Sequence, residues 1–294
     1  GSTKQQAAST TSTTTTTTVA ELDAPAPYVP IAGEPVPELK VMAAEFLQAV
    51  GTYDEGGGNA EALATRLAGL PADPAVAADR LLVPTAGSAV EIVYPQLGGL
   101  TEDAASIMVV FTWRLLEDDR ETSVVRTADV RLRREAGAWR VTGVESLGGE
   151  PTGSPEITPL AQAVLANDRL DLPDSARWDI EAGRIGDEIL QVLQELSQHH
   201  TLRVAVLASG HPHNVFESEY VSNHTEGRGV DIWAIDDTPI VSLRDPNGPL
   251  PALVQGLVAQ GITEVGSPFD VDGPGGASFT NTVHQDHLHI AFDG

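Results

Sequence analysis

A net charge of −25 on 294 residues argues against nucleic acid, whose phosphates call for a basic footprint, and against anionic lipid headgroups. With no cysteine, disulfides, thiolate zinc sites and iron–sulfur clusters are excluded, and any metal is left to histidine and carboxylate. The acidic residues are scattered, the pattern of a solvated surface, and no apolar run reaches the roughly 18–20 residues that span a bilayer.

Residues 1–18 are almost all Ser, Thr, Gln and Ala and end in six threonines, Thr13 to Thr18. Such a tract buries too little apolar surface to offset its chain entropy and is expected to be disordered. Pro25, Pro27, Pro30, Pro35 and Pro37 stiffen the next stretch, so residues 1–37 read as a Thr/Pro-rich stalk. Stalks of this composition hold a domain away from a membrane or wall, which makes the expected location extracytoplasmic, secreted or tethered to the envelope. Gly1-Ser2 reads as a processing scar, so a membrane enters the expectation only through a removed N-terminal anchor.

A first folded unit is expected over 38–148. Leu39, Met42, Phe46 and Val50 recur at helical spacing. Gly56-Gly57-Gly58 breaks that helix, and Asn59 is placed to cap a second one carrying Leu63, Leu67 and Leu70. Strands come next at Val90 to Tyr94, Ser106 to Leu116, Thr122 to Arg134 and Ala138 to Glu145; in the third, Val130 and Leu132 alternate with Arg131 and Arg133. Glu135-Ala136-Gly137 is a hairpin-type turn. Residues 149–159, rich in Gly, Pro, Ser and Thr, form the linker to a second unit over 160–294.

In that second unit an amphipathic helix carries Ile185, Ile189, Val192 or Leu193, and Leu196, with His199 and His200 capping its C-terminal end. Leu202 to Leu207 is a buried strand by length and valine content. Asp270 to Gly276 reads as a surface loop, since it lacks the spacing of a calcium loop. All eight histidines lie between His199 and His289, which directs the search for chemistry to this half. His224 and Asp231 stand seven apart; a tight bend over 225–229, with Gly227 and Gly229 supplying the freedom, is needed to make them converge. At the C-terminal end, strand alternation puts His287, His289 and Ala291 on one face and Leu288, Ile290 and Phe292 on the other. Two imidazoles on one strand face, with His224 and Asp231, point to a metal site, since buried histidines without partners are costly.

The first unit, two helices followed by an antiparallel meander ending Gly137 to Glu145, resembles the cone-shaped nuclear-transport-factor-2-like fold. The second resembles the metallopeptidase superfamily of lysostaphin, D-alanyl-D-alanine peptidases and the hedgehog signalling domain. Its Ser-x-His-x-x-Gly-x-Ala-x-Asp signature is met by Ser222, His224, Gly227 and Asp231, with Gly229 where Ala is usual, and its distal His-x-His by His287 and His289. His284, His287 and His289 also resemble the arrangement in murein endopeptidases. The resemblance implies an α+β chain of two domains, each an antiparallel sheet with packed helices. It further implies Zn2+ held by His224, Asp231 and His289, with a general base in His287 or Asp286, His287 being favoured. His284 and Ser222 are implied as substrate contacts.

Relatives acting on peptide carboxylates follow the Ser-Gly turn with an aromatic residue and an Arg; here Ser209-Gly210 is followed by His211-Pro212-His213. His213 and Arg228 are the residues left to bind substrate in that role. The expected function is a zinc-dependent metallopeptidase of the cell wall, its partner a peptidoglycan or other cell-wall peptide, and nucleic acid excluded. The alternatives are a non-catalytic envelope binding protein with a structural or vestigial zinc site, and a non-haem iron centre built on the same donors.

Overall fold

The computed structural model describes residues 21–72, 79–151 and 157–293, so the Thr-rich tract and part of the linker lie outside the described residues. Two helices open the first unit, α1 (Pro37–Gly51) and α2 (Ala60–Leu67). Asn59 caps α2, its Oδ1 accepting from the amides of Glu61 and Ala62 at 3.1 and 3.0 Å. They cover a meander of β1 (Gly87–Leu100), β2 (Ala104–Glu117), β3 (Arg120–Glu135) and β4 (Ala138–Ser146), ordered β1-β2-β3-β4 and antiparallel throughout. Asp118-Asp119 and Ala136-Gly137, all at positive φ, close its last two hairpins with the turn type whose twist matches that of the strands. Leu39, Phe46, Leu47 and Val50 of α1 pack into the core with Ile107, Phe111, Val130 and Leu132 of the sheet.

The second unit contains α3 (Pro159–Leu165), β5 (Leu170–Asp171), α4 (Asp174–Glu181), α5 (Asp187–Ser197), β6 (Leu202–Val206), β7 (Gly229–Ile235), β8 (Thr238–Pro239), α6 (Pro249–Ala259), β9 (Glu264–Gly266), β10 (Ser278–Phe279) and β11 (Leu288–Ala291). Its sheet runs β10-β9-β11-β7-β6-β5, with β8 beside β7. The chain is thus α+β with antiparallel sheets, although the second sheet is not antiparallel throughout. Its outer pairs, β10 with β9 and β5 with β6, are parallel, because a helix or long loop intervenes between those strands. Both faces of β7 are covered, and all seven of its residues are buried. His199 lies beyond the end of α5, while His200 Nδ1 sits 2.8 Å from Asp236 Oδ2. Among the described residues no helix is long and apolar enough to cross a membrane.

Between the two cores lies a smaller apolar cluster of Tyr94 and Val110 from one unit with Ala205, Trp233 and Ala234 from the other. Tyr94 and Trp233 stack with centroids 4.7 Å apart. The proline-rich stretch differs from the spacer expected of it. Residues 21–36 hold no helix or strand, yet Ile31 packs on this cluster, Glu34 is buried, and the Gly33 carbonyl accepts from Arg244 at 2.6 Å. Composition reported its stiffness and missed the apolar and acidic side chains that dock it.

Candidate metal centre

Strand register sets two of the expected ligands. β11 pairs antiparallel with β7 so that His289 stands directly opposite Asp231, where side chains on one face meet at about 4.5–5.5 Å between Cβ atoms. His224 reaches them from the connection between β6 and β7, and the bend it needs is present. The Gly227 amide donates to the His224 carbonyl at 3.0 Å, and the Arg228 amide to Asn223 at 2.8 Å. Gly227 has φ +72°, and a side chain there would strike the Arg184 carbonyl. A Cβ on Gly229 would sit 3.0 Å from the His224 ring, so the glycine found there leaves room for the imidazole to fold back. Ser222 Oγ accepts from the His224 amide at 3.2 Å, which fixes the start of the bend.

His224 Nε2, His289 Nδ1 and Asp231 Oδ1 converge, with separations of 3.2, 3.2 and 2.8 Å. A tetrahedral cation held at about 2.0–2.2 Å spaces its ligands by roughly 3.3–3.6 Å, so this buried triangle is close to the size an ion requires. The groups behind it fit as well. His224 Nδ1 donates to the Leu207 carbonyl at 2.6 Å, which leaves the Nε2 lone pair free to ligate. His289 Nε2 lies 3.5 Å from Glu264 Oε1, and Glu264 accepts from Asn223 Nδ2 at 2.8 Å. Asp231 Oδ2 accepts from Gln96 Nε2 at 2.6 Å, across from the first unit. That orientation leaves Gln96 Oε1 buried and unpartnered, at a cost of about 1–3 kcal/mol that the fold sustains in order to hold the carboxylate.

The electrostatics suit a cation. Burial alone would raise the Asp231 carboxyl, but the imidazoles of His224, His287 and His289 packed around it hold it well below the usual carboxylate range. Burial would lower His289, but Asp231 and Glu264 bring it up to about 9. The proton retained there is what a metal ion would displace.

Compared with known families, curated proteins and solved structures, the chain finds no match.

His287 stands beside the triangle, Nε2 4.0 Å from Asp231 Oδ2 and Nδ1 2.8 Å from Asp286 Oδ1. Asp286 is fully buried and takes no part in lining the cleft. Its Oδ2 accepts the Leu97 amide at 2.9 Å and pairs with Lys40 Nζ at 2.6 Å. Burial raises the Asp286 carboxyl, but Lys40 and His287 outweigh that and leave it below its ordinary value. His284 donates from Nδ1 to Asn281 Oδ1 at 2.8 Å, and burial, then His287 and His289, hold it neutral well below its usual range. Gly266 lies against the His284 ring, where a side chain would collide.

A cleft of about 360 Å³ opens over these groups, and both units line it: Gly98 to Thr101 and Met108 from the first, His211, Ser222, Glu264, His284 and His287 among those from the second. The structure keeps His213 and Arg228 out of that lining. His213 is exposed, and Arg228 pairs with Glu226 and Asn223. Four participants were missed from the sequence: Gln96, Lys40, Glu264 and His211. His211 stacks on His224 with centroids 4.3 Å apart, and burial, followed by the neighbouring His224, lowers it to about 3. Its place after Ser209-Gly210 was the one available signal.

Proposed function

We propose that this protein is a zinc-dependent metallopeptidase acting outside the cytoplasm on the peptide bonds of peptidoglycan or another cell-wall peptide. The observation that carries the reading is the buried His224–Asp231–His289 triangle, with a free imidazole nitrogen of His287 at its edge. Two nitrogens and one oxygen suit zinc, and three protein ligands leave a fourth position, the pattern of catalytic sites. Bound there, zinc would supply a Lewis acid for the scissile carbonyl and lower the pKa of a water to about 7.

The remaining steps belong to the chain. His287 Nε2 takes the proton of the attacking water and hands it to the departing amine, while Asp286 holds the opposite side of the ring. Gln96 keeps Asp231 Oδ1 turned toward the ligand imidazoles. His284, its Nδ1 proton committed to Asn281, offers Nε2 as an acceptor for a substrate N–H. No Arg or Lys lines the cleft among the described residues, so a free terminal carboxylate finds no cation there. That favours an internal peptide bond over a C-terminal one. The Thr/Pro-rich N-terminal segment supports the location.

Zinc-loaded protein incubated with purified peptidoglycan sacculi, with products read by mass spectrometry, tests the reading. About one zinc per chain and release of peptide fragments is the expected result. His287→Ala should slow cleavage by roughly 10²–10⁴ while retaining metal. Failure to hold zinc would sink the proposal, and full zinc occupancy with no cleavage would make this a binding module with a structural ion.

A further inference from the structure

The ammonium of Lys40 is fully buried and sits among groups from both halves of the chain. It lies 2.6 Å from Asp286 Oδ2, 3.5 Å from Glu34 Oε1 and 4.9 Å above the centre of the Tyr94 ring. Glu34 is held in turn by the Tyr28 hydroxyl at 2.7 Å. Burying an ammonium is costly unless carboxylates accompany it, and a docking interface is more cheaply built from apolar side chains like those a few ångströms away. Something more specific than adhesion is gained by this lysine.

Its partner shows what. Asp286 Oδ2 is occupied by Lys40 and the Leu97 amide, both from the first unit, so only Oδ1 remains for His287. A carboxylate can only accept there, which places the ring proton on Nδ1 and the lone pair on Nε2, the atom facing the metal triangle. We infer that Lys40 is a positioning residue for His287, acting through Asp286, and that the first unit completes the site instead of carrying it. The inference rests on the metallopeptidase reading for the role of His287, and on the Lys40–Asp286–His287 geometry alone for the tautomer.

The test uses the whole zinc-loaded chain with ¹⁵N-labelled histidine, the His287 signals being assigned with His287→Gln. In the parent protein His287 should carry its proton on Nδ1, with a downfield proton resonance. In Asp286→Asn the Leu97 amide retains the side-chain oxygen, the amide NH₂ turns to His287, and the proton moves to Nε2. Lys40→Met should weaken or lose the Nδ1–H signal, leave zinc affinity within about threefold, and lower kcat by about 10–100-fold with KM little changed. Combining the two changes should be no worse than Asp286→Asn alone.

Should Lys40→Met not fold, Lys40→Met/Asp286→Asn removes both buried charges and carries the test; a parent-like His287 tautomer in it overturns the inference. So does a folded Lys40→Met with an unchanged resonance and kcat, an additive double variant, or a parent protein whose His287 proton is on Nε2. The resonance reads the relay even if no peptide is cleaved, so the loss of this inference and the loss of the functional reading remain distinguishable.

Discussion

Asp231 divides its two oxygens between different tasks, Oδ1 toward the imidazoles of His224 and His289 and Oδ2 toward Gln96. Gln96→Leu removes the donor and leaves a buried carboxylate oxygen free to turn. Zinc affinity should then fall about 10–100-fold, measured by competition with a chromogenic chelator; an unchanged affinity would show that Asp231 holds its orientation unaided. Asp286 offers a second check, through pH. Its folded-state pKa is depressed, so its contribution to stability is complete above its unfolded value near 4 and is lost as pH falls through the folded one. Denaturant stability of Asp286→Asn should therefore decline less than that of the parent protein on going from about pH 4 to pH 2, whereas parallel curves would deny the group that role. The candidate group of His224, Asp231 and His289 was legible because chemistry and spacing coincide: glycines at the bend bring His224 back to Asp231, and an apolar-alternating last strand carries His289, whereas His287, expected on the same strand face, lies just ahead of that strand. Gln96 and Lys40 were not legible. Gln96 is a polar residue in an ordinary strand and Lys40 one turn of an ordinary helix, and only a tertiary approach across more than a hundred residues gives either a role.

At the level of elements, the turn after β6 is what delivers His211 to the back of His224. Buried Asp179 of α4 gathers the amides of Ala208 and Ser209 at 3.2 and 2.6 Å and the Ser209 hydroxyl at 2.5 Å. Gly210 comes next at φ +103°, with the Thr127 carbonyl where a side chain would begin. Gly210→Ala should destabilise the fold by about 1–3 kcal/mol, seen as a lower denaturation midpoint at unchanged slope; a neutral effect would mean that the turn can relax away from β3. The meander and α1 could be read from the sequence because their apolar periods are long and clean. The helices α3, α4 and α6 were not anticipated, for physical reasons. The helix α4 is eight residues long and buries Ser175 and Asp179 beside its two apolar contacts, which blurs its period. In α6, Pro249 and Pro251 occupy the first turn and read as loop residues, although the first turn is where a helix tolerates proline.

For the molecule as a whole, the Leu97 amide is the most informative single group, since its acceptor lies on the opposite unit. Trp233→Ala deletes the ring stacked on Tyr94 and should loosen the interface. Hydrogen exchange at Leu97 should then quicken well before exchange at Val130, which lies in the core of the first unit; equal protection of Leu97 with and without the ring would make the two units docked by other means. The proline-rich stretch ahead of α1 adds to the same junction through Ile31, Gly33 and Glu34. The linker near residue 150 looks like the natural place to divide the chain, yet Gln96 and Lys40 stand on one side of it and their partners on the other. Recombination that moved the histidine-bearing half to a new neighbour would transplant His224, Asp231 and His289 without the groups that align them, so only an exchange of both halves together would preserve the geometry of the triangle.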